Sequence, residues 1–377
     1  MGAATFTDIF THFAILTDPR VERTRLHALP EMMAIALCAA ICGAEGWADV
    51  ERFGKAKQAW FARFLKLEHG IPSHDTFGRV FARLDTAEFF ACLQSWLEAL
   101  RVSFREQGIA IDGKTLRRSF DTAAGKSAVH LVSAWASDLR LSLGQVAVDD
   151  KSNEITAVPR LLELLELAGA VVTLDAMHCQ KETAAAIRAR GADYVLTVKR
   201  NQPTLSERLN DWFIDHGNRD YRDVRRHVTV QRSHGRNERR EYFVAAPPTD
   251  LVDSGEWADL GAVGMVFRQR ESHGVLQEET TFFISSLPPK VKRLAKLVRG
   301  HWAIENSLHW SLDVTFTEDQ SRLRQGAGPE VAAVFRRLAL SVLQQDTSLK
   351  SSLRGKRLQA GWNNDVLQAI LLASAGK

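Results

Sequence analysis

Residues 108–112 read Gly-Ile-Ala-Ile-Asp, a short apolar run that ends on a carboxylate. A run of that length bounded by glycine suits a buried strand, and the chain beyond it alternates strand and helix patterns. His130–Ala136 and Leu141–Val148 predict two more strands around a turn at Ser137-Asp138. Thr156–Ala168 has helical periodicity and is closed by Gly169, which can take the left-handed backbone of a helix end. Ala170–Leu174 is a second apolar run leading into a carboxylate, Asp175. Gln180–Arg190 follows as a helix closed by Gly191, and Asp193–Val198 as a further strand.

Three strands, helix, strand, helix, strand is the order of a ribonuclease H-like core, in which the first and fourth strands lie side by side. Asp112 and Asp175 would then face each other, and two carboxylates that repel without a cation imply one. The expected fold class is α/β: a ribonuclease H-like mixed sheet flanked by helices, with a β-rich insertion and a helical N-terminal domain. Residues 1–103 form that helical domain in this reading, 104–216 the first part of the core, 217–286 the insertion, and 287–377 the rest of the core with a basic helical tail. Within the insertion, Val228-Thr229-Val230, Tyr242-Phe243-Val244, Ala262–Phe267 and Glu279–Ile284 read as strands. A long helix from about Val291 to Leu312 then carries Glu305, and a C-terminal helical stretch carries Arg336, Arg337, Lys350, Arg354, Lys356 and Arg357.

In the first hundred residues, apolar positions fall three and four apart, as in Ile35, Cys38, Ala39 and Cys42. Ser73 is placed to cap a helix bearing Arg79 and Arg83. With a helix over about Asp49–Phe64 and a turn at Glu68-His69-Gly70, this suits a helix-turn-helix, although two helices joined by a glycine turn equally make plain core. The run Met32–Cys42 is too short for a bilayer core of about 30 Å, and the N-terminus has no secretory pattern. Four cysteines in no zinc-like spacing fit a reduced, cytoplasmic protein. Lys and Arg number 49 against 45 Asp and Glu, a mildly basic balance. No membrane role is expected.

Phosphodiester cleavage needs charge stabilised on the entering and leaving oxygens, which two metal ions roughly 3.5–4 Å apart supply together. Hard oxygen ligands favour magnesium, with manganese an acceptable substitute. Asp112, Asp175 and Glu305 supply such ligands. Around them stand Lys114, Arg117 and Arg118 after the first aspartate and His178 after the second, then Lys199, Asn201 and Gln202 after the last strand. Arg299, His301, Trp302, Asn306 and His309 surround the glutamate, and His301, Glu305 and His309 share a face at helical spacing. These flanking residues are the expected DNA-binding or auxiliary set. From Lys199 to Arg240 there are 11 basic and 6 acidic residues, and Ser286–Gly300 holds five basic residues and no acid. Charge runs are usually solvated faces, but phosphate neutralisation requires such cations.

Several longer stretches resemble a known family. Ile-Asp-Gly-Lys-Thr-Leu-Arg-Arg-Ser at 111–119, Leu-Asp-Ala-Met-His-Cys-Gln at 174–180, Val-Lys-Arg-Asn-Gln at 198–202 and Arg-Gly-His-Trp-Ala-Ile-Glu-Asn-Ser-Leu-His-Trp at 299–310 are similar to the H-repeat-associated family of bacterial insertion-sequence transposases. Asp18-Pro19-Arg20 and Ile71–Phe77 resemble that family's N-terminal associated domain. The resemblance implies an Asp-Asp-Glu triad at Asp112, Asp175 and Glu305 with two divalent ions, cleavage at element ends and strand transfer into target DNA. It also implies double-stranded DNA as partner, through terminal inverted repeats and target, and at least a homodimer in the active complex, in a bacterial cytoplasm and nucleoid-associated when bound. In the wider group the glutamate helix often has Arg four residues before the Glu and Lys or Arg seven after; here these positions are His301 and Leu312.

Other readings stay open at this point. A non-catalytic DNA-binding descendant of a transposase and a metal-dependent nuclease share the same core. Cys179 beside His178 suggests a thiol nucleophile, although neighbouring side chains diverge and packing beside Asp175 is the expected role. A Glu flanked by His at four residues either side is not a zinc-protease spacing. Trp302 and Trp310 are expected in the core on opposite sides of their helix, with stacking on a flipped base as the alternative.

Overall fold

The computed structural model describes residues 11–99, 103–122, 125–148, 154–233, 236–272 and 274–373. Among the described residues, five α-helices precede the sheet: α1 (Leu29–Cys42), α2 (Trp47–Ala56), α3 (Gln58–Phe61), α4 (His74–Phe81) and α5 (Thr86–Ala99). α1 starts with proline at its second position, ends at Gly43 with φ of 111°, and is buried from Met32 to Ile41. It is a core helix, and no single described helix is long and apolar enough to cross a membrane. Ser73 caps α4 by accepting from the Thr76 amide at 3.3 Å, as its position predicted. The helix expected over Asp49–Phe64 is instead broken at Lys57, between α2 and α3.

The core then runs β1 (Gly108–Thr115), β2 (His130–Ala136), β3 (Leu141–Ala147), α6 (Glu154–Leu164), β4 (Val171–Leu174), α7 (Lys181–Ala189), β5 (Asp193–Val198) and α8 (Pro203–Gly217). Four more strands follow, β6 (Arg225–Ser233), β7 (Arg236–Ala245), β8 (Ala262–Ser272) and β9 (Val275–Ser285), with the short helix α9 (Thr249–Asp253) between β7 and β8. All nine lie in one sheet in the order β3-β2-β1-β4-β5-β9-β8-β7-β6. The first five have the expected ribonuclease H-like order, with β1, β4 and β5 parallel and β2 and β3 antiparallel. The inserted strands do not form a separate layer: β9 pairs antiparallel with β5, so the insertion widens the core sheet.

The remaining elements are α10 (Val291–His301), a π-helical turn over Ile304–His309, α11 (Trp310–Val314), α12 (Gly328–Gln345), α13 (Leu353–Trp362) and α14 (Asn364–Ala373). α12 is buried on all sides from Val331 to Leu343, as a helix inside a core must be. Its Phe335 ring lies 5.6 Å from Phe81 and 5.5 Å from Phe89, which joins the N-terminal helices to the core in one hydrophobic cluster. Burying such a ring stabilises by about 3 kcal/mol. Gly144 admits a further contact: a Cβ there would meet the Phe90 ring at 2.0 Å, so only glycine lets α5 lie on β3.

The basic C-terminal stretch is largely structural. Arg336, Arg337, Lys356 and Arg357 are all buried. Arg357 donates to Ala40 O at 3.2 Å and Ile41 O at 3.4 Å at the end of α1, and its guanidinium stacks over Phe316 at 4.1 Å.

Candidate active site at the end of two parallel strands

Ile111 of β1 stands opposite Leu174 of β4, the last pair in their register, so Asp112 and Asp175 are next in line on adjacent parallel strands. Alternation along β1 puts Gly108, Ala110 and Asp112 on one face and Gly113 on the other. The first face is covered by α10, whose Leu297 is 3.1 Å from where a Gly108 Cβ would be. β1 does not end at Asp112 as its apolar run suggested. It continues to Thr115 beside β2, whereas β4 stops, and Asp112 therefore sits where the sheet opens.

Glu305 comes to the same end on the π-helical turn. The long helix expected over Val291–Leu312 is not continuous: α10 ends at His301 and the wider turn follows, a distortion frequent at functional sites. Asn306 covers the break by donating from its side-chain amide to Trp302 O at 2.9 Å. His301 and His309, one turn either side of Glu305, both point inward. His301 Nδ1 is 3.2 Å from Thr173 Oγ1 of β4, and His309 Nδ1 is 3.6 Å from Asp112 Oδ2. Burial pushes both imidazoles down to about 4, with nearby charges Arg337 and Lys114 adding to the effect at His309. Near neutral pH they are uncharged and do not balance the carboxylates.

Burial, with Asp175, Glu305 and Glu154 adding their charges, raises Asp112 to about 7, against the Gly113 amide that hydrogen-bonds it. Asp175 Oδ1 is buried and has no hydrogen-bond partner, and neither has His309 Nε2. Among the described residues no Lys or Arg pairs with Asp112, Asp175 or Glu305. No set of three or more His, Cys, Asp or Glu stands there at ligand spacing either. An orphaned carboxylate oxygen and mutually repelling acids fit a hard cation that would draw the three side chains together.

The same imbalance predicts a stability gain from a disabling substitution. An acid whose folded pKa lies above its unfolded value costs stability when ionised; the cost is absent below about 3.8, grows with pH and is complete above about 7. At ~1.4 kcal/mol per unit it reaches up to about 4 kcal/mol. Asp112→Asn is therefore expected to raise the melting temperature of cation-free protein at pH 8 and to change it little at pH 4. An equal difference at both pH values would remove the charge from the explanation.

Several flanking residues have other work. Lys114 is buried and bound to Asp313 at 2.5 Å, Asp319 at 3.0 Å and Glu318 at 3.4 Å, so it ties β1 to the segment after Glu305 and is not presented to a phosphate. Asn201 donates to Ala176 O, and Gln202 Nε2 donates to Cys179 O at 2.9 Å; both brace the turn after Asp175. His178 is 1% exposed and bonds Glu154. Arg117, Arg118, Lys199 and Arg299 are exposed, Arg117 pairing with Asp319 at 3.1 Å and Arg299 with Gln231. Trp302 and Trp310, expected in the core, are instead 42% and 56% exposed on either side of Glu305. Cys179 is buried and its thiol is pushed up to about 12, first by burial and then by Asp175, which ends the nucleophile reading.

Sequence reasoning passed over Glu154 and His130. Glu154 Oε1 lies 2.6 Å from His130 Nε2, and its Oε2 is 3.1 Å from His178 Nε2. These two contacts hold its carboxyl down at about 2. Three residues from β2, α6 and the Asp175 turn meet here, and no spacing along the chain announces them.

A family model described as a transposase DDE domain matches residues 103–342, and one described as DDE_Tnp_1-associated matches residues 10–97. The chain is 36% identical over 372 residues to the "H repeat-associated putative transposase YhhI" of Escherichia coli K12, covering 97% of this chain and 98% of that one. It is 35% identical over 367 residues to "Putative transposase YncI" of Escherichia coli O157:H7, covering 96% and 94%. Among solved structures, a piggyBac transposase in a synaptic complex with hairpin DNA overlaps 97% of the chain and 80% of its own length, at 9% identity and a TM-score of 0.41. Over both its N-terminal helices and its sheet, the chain belongs to the DDE-domain transposases, with H repeat-associated transposases as its full-length relatives.

Proposed function

We propose that the protein cleaves DNA at the ends of an insertion sequence and joins the freed ends to target DNA, with Asp112, Asp175 and Glu305 holding two divalent ions, magnesium or manganese. The observation that carries this reading is the pair of carboxylates at the end of the pairing between neighbouring parallel strands, with the Glu305 charge acting on Asp112 and no paired Lys or Arg among the described residues. Ions bound there supply Lewis-acid stabilisation of the entering and leaving oxygens. The pairing of β1 with β2 fixes Asp112 to rigid backbone, and the neutral His301 and His309 wall the site without competing for phosphate.

In the first step water attacks phosphorus at the element end, and the 3′ oxygen leaves as a hydroxyl. In the second, that oxygen forms a bond to a target phosphorus as the target's own 3′ oxygen departs. Arg117, Arg118, Lys199 and Arg299 lie exposed where they can meet backbone phosphates. Trp302 and Trp310 offer ring faces to an unpaired base on either side of Glu305. Terminal inverted repeats and target duplex are the DNA partners, and holding two ends together calls for a homodimer or larger complex.

Purified protein incubated with labelled DNA bearing its own element end tests this. Cutting and joined products are expected in magnesium and in manganese, and none in chelator. Cutting without joining would favour a nuclease, and binding without cutting in either metal would favour a non-catalytic DNA-binding descendant.

A further inference from the structure

We propose that Glu154, gripped by His130 and His178, is a positioning residue that locks the turn carrying Asp175 against the strand carrying Asp112. The proposal rests on the reading of Asp112 and Asp175 as cation ligands. Glu154 opens α6 and lies against Gly113, where a Cβ would come within 2.5–2.6 Å of its carboxyl atoms. Gly113 faces away from Asp112 along the strand, so Glu154 works from behind the sheet and outside the ligand set. No larger residue at 113 would leave it room.

The grip reaches the backbone beside both aspartates. His130 lies in β2 opposite Thr115 of β1, and its Nδ1 is 2.7 Å from Thr115 Oγ1. His178 sits three residues beyond Asp175 on the 3-10 turn, fully buried, with its Nδ1 unpartnered. Among the described residues, that imidazole bonds to Glu154 alone. Since β4 stops at Leu174, sheet hydrogen bonds do not hold Asp175, and the His178–Glu154 bond acts together with Asn201 and Gln202 to fix its turn. Partners that orient ligand-bearing groups typically affect metal affinity about 10- to 100-fold.

Mn2+ binding to the full chain without DNA, followed by calorimetry beside thermal melting, tests the clamp. Glu154→Ala and His178→Ala are each expected to weaken Mn2+ binding about 10- to 100-fold, and the double substitution to weaken it no further than Glu154→Ala alone, because that change already removes the bond to His178. Glu154→Gln is expected to stay within a few-fold of wild type, since an amide can accept from one imidazole and donate to the other. Equal loss in Gln and Ala would make Glu154 a ligand and overturn the positioning role. Unchanged Mn2+ affinity in Glu154→Ala beside a weakened Asp112→Ala would overturn the clamp alone, and unchanged affinity in Asp112→Ala would overturn the ligand reading and the clamp with it. Should Glu154→Ala not fold, His178→Ala and Glu154→Gln give the same decision.

Discussion

Alanine at Asp112, Asp175 or Glu305 is expected to lower cleavage of element-end DNA by at least about a thousandfold, as loss of a central catalytic group does, while leaving affinity for the same DNA within a few-fold. The two effects separate because they come from different parts of the surface. The triad is a concentration of negative charge, which repels phosphate unless cations sit in it, so removing one carboxylate takes away no DNA contact. In the proposed reading, affinity for the duplex comes from exposed cations such as Arg117, Arg118, Lys199 and Arg299. Gel-shift titration and cleavage of the same labelled fragment, run side by side in magnesium, give both quantities. A variant that cuts at the wild-type rate would remove its residue from the site. One that loses binding and cutting together would place that residue in DNA contact or in the fold.

What was legible in the sequence follows from how local each signal is. The strand runs ending at Asp112 and near Leu174 are each a few residues long, buried on both faces and punctuated by glycine, so pattern alone finds them and their order gives the sheet. The Ser73 cap is likewise a four-residue event. Lys114 misled because its nearest sequence neighbours are Arg117 and Arg118, whereas its partners Asp313 and Asp319 lie 199 and 205 residues away. Glu154 looked like any acid in the first turn of a helix. Trp302 and Trp310 read as core because their stretch reads as part of one continuous helix. The π turn between them changes the phase, and large aromatic residues are usually buried. The buried cations of α12 and α13 illustrate the same limit: composition counts charge, but only contacts show whether it faces water.

Glu318→Ala is expected to destabilise the fold by about 3–5 kcal/mol, the range for breaking a buried ion pair from one side. Glu318 has no exposed side-chain surface, and its Oε1 is 2.9 Å from Arg337 Nη1, itself 2% exposed, while Oε2 is 3.4 Å from Lys114 Nζ. Removing it leaves two buried cations short of a partner. Arg336, also buried, donates to Ser321 Oγ at 2.9 Å and Glu45 O at 3.1 Å, and so cannot turn to fill the gap without giving up those bonds. The turn that delivers Glu318 is not one its sequence prefers: Thr317 has a φ of 50°, a left-handed conformation that a β-branched residue resists, so the charges hold the backbone there. Because Lys114 joins this cluster to β1, loosening it also frees the segment that follows Glu305, and cleavage is expected to fall along with stability. The pH dependence identifies the cause. Burial opposes ionisation of Glu318, but Arg337, Arg336 and Lys114 hold its carboxyl below the usual glutamate range. Its contribution is therefore present above about 4.5 and is lost as pH falls through the lowered folded value. Denaturant unfolding of wild type and Glu318→Ala should differ most near neutral pH and converge in acid. A gap that persists in acid would assign the loss to packing and not to charge.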